Sequence, residues 1–403
     1  MIIKQLNKFM EDTLFYDDLP GLAIGISIGE HADSPYAGLD YQNAVGYKNF
    51  ITKEPLLPEH IFHMASVTKL FVGISIMQLY ERGLLDLGAR AVDIIPWLHI
   101  GDIRYKSITI RHLLTHTAGL ADVQDYGWDR PELDEGALKR YVQSSEVTGS
   151  KLLWDPSENK FLYSNIGYEI LGTIIEAVSS LSFEDYVAEH ILRPLGMTDS
   201  TLLTFERTEK LGIMPPSEKG QIRNLQNEQY VKDSLKLENL SKVGLAMPHI
   251  KNAEKRIILE PQYPYNRGHG PSSTLTTNIS DIKKWAAVHL NHGAIKSDVK
   301  RASESCCQIL KPETYKEMWT EYALVPNNGE HIGLSWFKRE QNGYTLYGHE
   351  GNDDGFRASF WICPELNAHI VVAANMSKAP VKKMNKKAFD LLTVPSIDNI
   401  QHV

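Results

Sequence analysis

No charge interrupts the chain between Lys69 and Glu81, where Leu70, Phe71, Val72, Ile74, Ile76, Met77 and Leu79 make a long run that is apolar all round. Such a pattern predicts a helix buried on all sides, closed by Arg82 and Gly83 as basic last turn and C-cap. Met1 to Asp12 instead mixes charge with apolar residues at helical spacing, which predicts an amphipathic first helix. It lacks the continuous apolar core of a signal peptide, and no stretch reaches the roughly 20 apolar residues of a membrane span. Leu22 to Ile28 and Ala44 to Tyr47 read as strands around a turn-rich loop, Ala32 to Gly38. From Ser66 to about Leu195 the period becomes helical, punctuated by Gly83, Gly88, Pro96, Gly119, Pro131, Pro156 and Pro194. Within it, Ile166 to Val178 predicts a strongly apolar helix with Glu169 and Glu176 on its polar side, and Ser182 with Asp185 opens the next.

Residues from about Phe205 to Gln262 are richer in Lys, Glu, Asn and Gln and weaker in period, which marks an insertion or lid. Asn278 or Ser280 then caps a helix through Trp285 to Leu290, ended by Asn291-His292-Gly293. The strand period returns in Gly333 to Phe337, Tyr344 to Tyr347, Phe356 to Ile362 and His369 to Ala373, spaced as an antiparallel meander. The predicted architecture is α/β plus all-α. Residues 1–60 and 330–403 form a sheet domain flanked by helices, and residues 61–329 a mainly helical domain with the insertion at about 205–262.

With 403 residues, 42% hydrophobic content and a net charge of −8, the chain reads as a soluble globular protein of about two domains. The acidic balance disfavours a nucleic-acid partner. Cys306, Cys307 and Cys363 form no Cys-x-x-Cys pair and suit packing in a reducing compartment, so a cytoplasmic location without membrane contact is expected.

Ser66-Val67-Thr68-Lys69 opens the buried helix. A serine and a lysine three apart share a helix face, so the amine reaches the hydroxyl as a base. Burial would lower the lysine's pKa, and the helix entry favours an oxyanion. Tyr163-Ser164-Asn165 stands before the helix at Ile166, where a tyrosine near a lysine could be partly ionised and relay protons, and Asn165 could bind an amide or carbonyl. His349-Glu350-Gly351 follows a strand pattern; Gly351 permits close approach, and the N–H of Asn352 pairs with that of Ser66 as an oxyanion hole. Tyr126 and Trp336, with Trp128, Tyr263 and Tyr265, are candidate cleft walls. Three signals point elsewhere. Ser27, in Gly25-Ile26-Ser27-Ile28-Gly29, sits inside a strand rather than on a nucleophile elbow. His112 and His116 have zinc spacing but no accompanying glutamate or third ligand. Arg267 and His269 suit either substrate charge or loop bracing.

The ordered set Ser66-x-x-Lys69, Tyr163-Ser164-Asn165 and His349-Glu350-Gly351 resembles that of class C β-lactamases. Their relatives, the D-alanyl-D-alanine carboxypeptidases, D-aminopeptidases and family VIII esterases, share it. Ile110 to Leu120, Pro194-Leu195-Gly196-Met197 and Gly333-Leu334-Ser335-Trp336 extend the resemblance over most of the chain. It implies an α/β domain and a helical domain with the site between them. It also implies Ser66 as nucleophile, Lys69 as base, Tyr163 as proton relay and Asn165 as substrate anchor. No metal or cofactor is expected. The β-lactamases carry Lys-Thr-Gly where this chain has His349-Glu350-Gly351, so the fixed cation that holds a β-lactam carboxylate is absent, and Glu350, Asp353 and Asp354 add negative charge nearby. The expected activity is hydrolysis of a small ester or peptide through an acyl-enzyme, with weak or no β-lactamase action. The alternatives are a weakly catalytic scaffold or a true β-lactamase; the oligomeric state is open.

Overall fold

Among the described residues, nine strands form one antiparallel sheet in which the first and last strands of the chain meet. The computed structural model describes residues 2–210, 233, 235–295 and 308–394. Its sheet strands are β1 (Gly21–Ser27), β2 (Asp40–Asn49), β3 (Glu54–Pro55), β4 (Ala323–Leu324), β5 (His331–Ile332), β6 (Phe337–Gln341), β7 (Tyr344–Asp353), β8 (Phe356–Cys363) and β9 (Ala368–Ala374). They lie in the order β3-β2-β1-β9-β8-β7-β6-β5-β4. The seam between the chain ends is β1 against β9, with Leu22 opposite Ala374 and Ser27 opposite His369.

Alternation along β1 divides the core in two, because successive side chains point to opposite faces. Leu22, Ile24 and Ile26 face helices α1 (Ile2–Tyr16) and the C-terminal Val381–Thr393, which contribute Leu6, Met10, Met384 and Phe389. Ala23 faces the larger core, which runs through Phe360 and Val371 to the buried helix α2 (Thr68–Glu81) and on to α3 (Asn165–Ser179). As its pattern predicts, α2 is buried from Thr68 through Leu79. Burial of each large apolar side chain there contributes roughly 1.5–3 kcal/mol. Phe71 stacks on Trp285 at 3.9 Å.

Trp285 belongs to α4 (Ile279–Leu290), whose entry is capped by Asn278 accepting from the Asp281 N–H at 2.9 Å. Although α4 falls in the stretch read as helical domain, it packs on the inner face of the sheet, and Gly25 leaves room for Ile279. The final helix, Val381–Thr393, is α5. Gly333 to Trp336, expected as strand, is instead a turn with Ser335 at φ +72°. The Ser335 N–H is turned to the Leu114 carbonyl at 3.1 Å, so this segment docks on the helical side rather than extending a ladder. Among the described residues the expected insertion includes the short helices Glu206–Lys210 and Leu237–Lys242 and a small ribbon, His249–Lys251 with Ile257–Leu259. Residues 211–232 and 234 of it, like Cys306 and Cys307, lie outside the described residues. Cys363 is buried, and burial pushes its thiol up to about 12. Among the described residues no single helix is long and apolar enough to cross a membrane.

Candidate active site

The entry to α2 is built to present Ser66. A tight turn, Ala65–Val67, precedes the helix, and Ala65 adopts φ +48°, a conformation that costs a non-glycine residue energy. The Thr68 hydroxyl holds that turn, donating to the Ala65 carbonyl at 2.6 Å and accepting the Leu275 N–H at 3.0 Å. Ser66 keeps partial exposure among buried neighbours.

One turn on, the Lys69 amine donates to Ser66 Oγ at 2.9 Å and to the Ser272 carbonyl at 2.8 Å. Lys69 is fully buried, and burial lowers its pKa to about 8, against the upward pull of the Glu169, Asp122 and Asp353 carboxylates. A lysine so tuned is a competent general base near neutral pH.

The Tyr163 ring lies 5.1 Å from the Lys69 amine, and the Ser66 hydroxyl is its hydrogen-bonding neighbour. His116 stacks on it at 4.3 Å and accepts the Ser164 N–H at 3.2 Å, which fixes the turn that delivers the tyrosine. Burial raises the Tyr163 phenol well above its usual range, so the expected partial ionisation is not met and the group is a neutral hydroxyl. Asn165, at the start of α3, donates from Nδ2 to Asp122 at 2.8 Å and to the Tyr126 hydroxyl at 2.6 Å. Tyr126 thus stands beside Asn165, stacked on Trp128 at 4.7 Å.

The third element arrives on β7, where His349, Gly351 and Asp353 face the helical side. A side chain at Gly351 would overlap the Met64 carbonyl, so its absence lets β7 run beside the Ser66 turn. His349 Nδ1 donates to the Glu350 carbonyl at 2.6 Å, since a carbonyl only accepts. Burial, then the Lys69 charge, lowers the His349 pKa to about 3, so the ring is neutral. Asp353 accepts from His63 at 2.7 Å and from Ser273. Glu350 points to the opposite face of the sheet, where Trp361 Nε1 donates to it at 2.8 Å, and Asn352 likewise turns its side chain outward beside it.

Residues 17–393 match the profile of the Beta-lactamase family. This chain belongs to the Beta-lactamase family. Membership places it among serine hydrolases, with the fold already seen in the sheet and helices. It is 24% identical over 303 residues to penicillin-binding protein 4 of Amycolatopsis lactamdurans, covering 74% of this chain and 67% of that one. An octameric penicillin-binding protein homologue from Pyrococcus abyssi superposes with a TM-score of 0.72 at 23% identity, over 97% of this chain and 77% of the other. A D-amino acid amidase from Ochrobactrum anthropi SV3 gives 0.66 at 18% identity, over 98% and 99%. The chain spans from about a third to two thirds of the length of the first curated relatives it matches.

Trp336 is not in the cleft. It is fully buried between His289 of α4, at 5.0 Å, and Phe360 of β8, at 6.3 Å, because the turn at Ser335 directs it into the core. Glu169 does not lie on a polar side of α3 either; it is buried without exposure, accepting from Ser272 Oγ at 2.6 Å and from His269 Nδ1 at 3.2 Å. The i, i+4 spacing of Asn165 and Glu169 was the available signal, since both point where the site does. Arg267 braces its loop, pairing Glu184 at 3.0 and 3.1 Å. His112 caps its own helix through Thr109 and does not share a helix face with His116, which lies beyond the helix end at φ +55°. Ser27 is within β1 as expected, 2.7 Å from His369 Nδ1, on no exposed turn.

Proposed function

We propose that this protein hydrolyses a small ester or peptide through an acyl-enzyme on Ser66. The observation that carries the reading is the desolvated Lys69 amine 2.9 Å from the Ser66 hydroxyl. Lys69 takes the hydroxyl proton as Oγ attacks the carbonyl carbon, and the N–H groups of Ser66 and Asn352 hold the resulting oxyanion. The proton passes from Lys69 through the neutral Tyr163 hydroxyl to the leaving oxygen or nitrogen, and the carbon–heteroatom bond breaks. Water, deprotonated by the same pair, then releases the acid.

Charge around the site narrows the substrate. Asp122 and Asp353 flank Lys69 and Tyr163, and His349 is neutral, so no fixed cation at that position awaits a substrate carboxylate. This favours esters and amides without a carboxylate beside the scissile bond over β-lactams. The fold shared with a D-amino acid amidase puts a D-configured amide in the panel to be assayed.

The test is release of p-nitrophenol from a short-chain ester, beside a panel of small peptides, D-amino acid amides and a β-lactam, by wild type and Ser66→Ala. Turnover of an ester or amide that vanishes in the folded variant is expected. Equal rates in both proteins would remove Ser66 as nucleophile, and silence of wild type on every substrate would favour the scaffold reading.

A further inference from the structure

The mechanism above leaves one buried carboxylate beside the site without a role. Asn165, Glu169 and Gly172 lie at i, i+4 and i+7 on one face of α3. Asn165 stands at the cleft. At Gly172 a side chain would overlap Pro271, so the short turn Gly270–Ser273 rests directly on α3. Between them Glu169 Oε1 takes the Ser272 hydroxyl at 2.6 Å and His269 Nδ1 at 3.2 Å. The Ser272 carbonyl in turn accepts from the Lys69 amine at 2.8 Å.

We propose that Glu169 is the positioning residue of Lys69, fixing the Ser272 carbonyl that aims the amine at Ser66 and placing a negative charge close behind it. The inference rests on the acyl-enzyme reading. A residue that touches neither substrate nor reacting atoms acts here through Ser272. The remaining oxygen, Oε2, is buried, and no protein donor among the described residues reaches it.

Other groups also face Lys69. Tyr168 of α3 and Tyr163 are neutral phenols, raised by burial. His116 and His349 are lowered by burial and carry no charge near neutral pH. Asp122 gives one oxygen to Asn165, and Asp353 gives one to His63 and Ser273. Of the three carboxylates that pull the Lys69 pKa upward, Glu169 pulls hardest.

The experiment is the pH dependence of ester kcat/KM for wild type, Glu169→Gln and Ser66→Ala. Glutamine keeps the shape and an acceptor for Ser272 but removes the charge. The acidic limb, set by Lys69, is expected to move to lower pH by about one unit in Glu169→Gln. A folded variant whose limb stays at the wild-type pH overturns the proposal, because a merely structural carboxylate lowers the rate at every pH alike. If Glu169→Gln does not fold, Ser272→Ala keeps the carbonyl and removes its tether. A several-fold fall in kcat at unchanged KM is then expected, and unchanged kcat overturns the proposal. Ser66→Ala separates the two readings: activity retained there defeats the acyl-enzyme, whereas silence there with an unmoved limb defeats only the role of Glu169.

Discussion

Lys69 meets two demands that conflict in water and agree only when it is buried. It has to be close to Ser66, and it has to be ready to lose its proton. The fall from 10.5 to about 8 corresponds to about 3 kcal/mol against the charged form, the cost of enclosing it in α2's surroundings. The sign follows from the direction of the shift. The folded state binds this proton less tightly than the unfolded one, so the cost is fully felt below pH 8 and relieved as pH rises toward 10.5. Lys69→Arg tests the base directly, since a guanidinium keeps the charge and the reach but does not release its proton. Ester kcat/KM is expected to fall by about 10²–10⁴ with the fold retained by circular dichroism. A variant within tenfold of wild type would mean that another group takes the Ser66 proton. The residue types of this site were legible from the chain because Ser66, Lys69 and Tyr163 carry their chemistry in their identity. The ionisation of Tyr163 was not, because its direction is set by desolvation, which depends on what packs around the ring.

At the scale of elements, β7 shows how alternation sorts function. His349, Gly351 and Asp353 serve the helical side, while Glu350 and Asn352 turn their side chains outward. This relieves the expected clustering of negative charge, leaving Asp353 of the three acids on the site's side. Gly351 is the position where strand and turn meet most closely. In Gly351→Ala the new methyl would overlap the Met64 carbonyl, and β7 would have to withdraw from Ser66. With one oxyanion donor displaced, kcat is expected to drop about 10²–10³-fold. Circular dichroism and phosphonate labelling of Ser66 would show the nucleophile still in place. Wild-type kcat in this variant would show that the Asn352 N–H takes no part. The helices and strands themselves were readable from period, but their faces were less so. Glu169 was misplaced because a charge in an amphipathic pattern ordinarily marks water, and here it marks the turn Gly270–Ser273. Trp336 was misplaced because a positive φ at Ser335 reverses the chain just before it.

The whole molecule joins its two ends through the β1–β9 seam, a closure that the alternating patterns at both ends announced. The position of α4 on the sheet was not announced, since a helix pattern shows which residues are buried but not against what. That enclosure has a consequence for acid stability. Among the histidines that burial holds below their usual range are His116, well below it, His249 at about 4, and His289, His349 and His369 at about 3, with His60, His112 and His190 also lowered. They belong to both halves of the structure, from β7 and β9 to α4 and the ribbon at His249. In each the folded state refuses a proton that the unfolded chain accepts near 6.5, so stability is full above that pH and is lost as pH falls toward 3. Glu176, raised to about 7 by burial, and Glu350, also raised by burial, act in the opposite sense because the native state takes up their protons first. Among these groups the lowered histidines outnumber the raised carboxylates, so unfolding near pH 5 takes up protons on balance and stability falls as the pH drops. Urea midpoints are therefore expected to fall steeply between pH 6.5 and 5, with His369→Gln less steep than wild type. Midpoints unchanged over that range would show that these histidines are not held neutral, and with them would go the argument that His349 offers no charge to a substrate carboxylate.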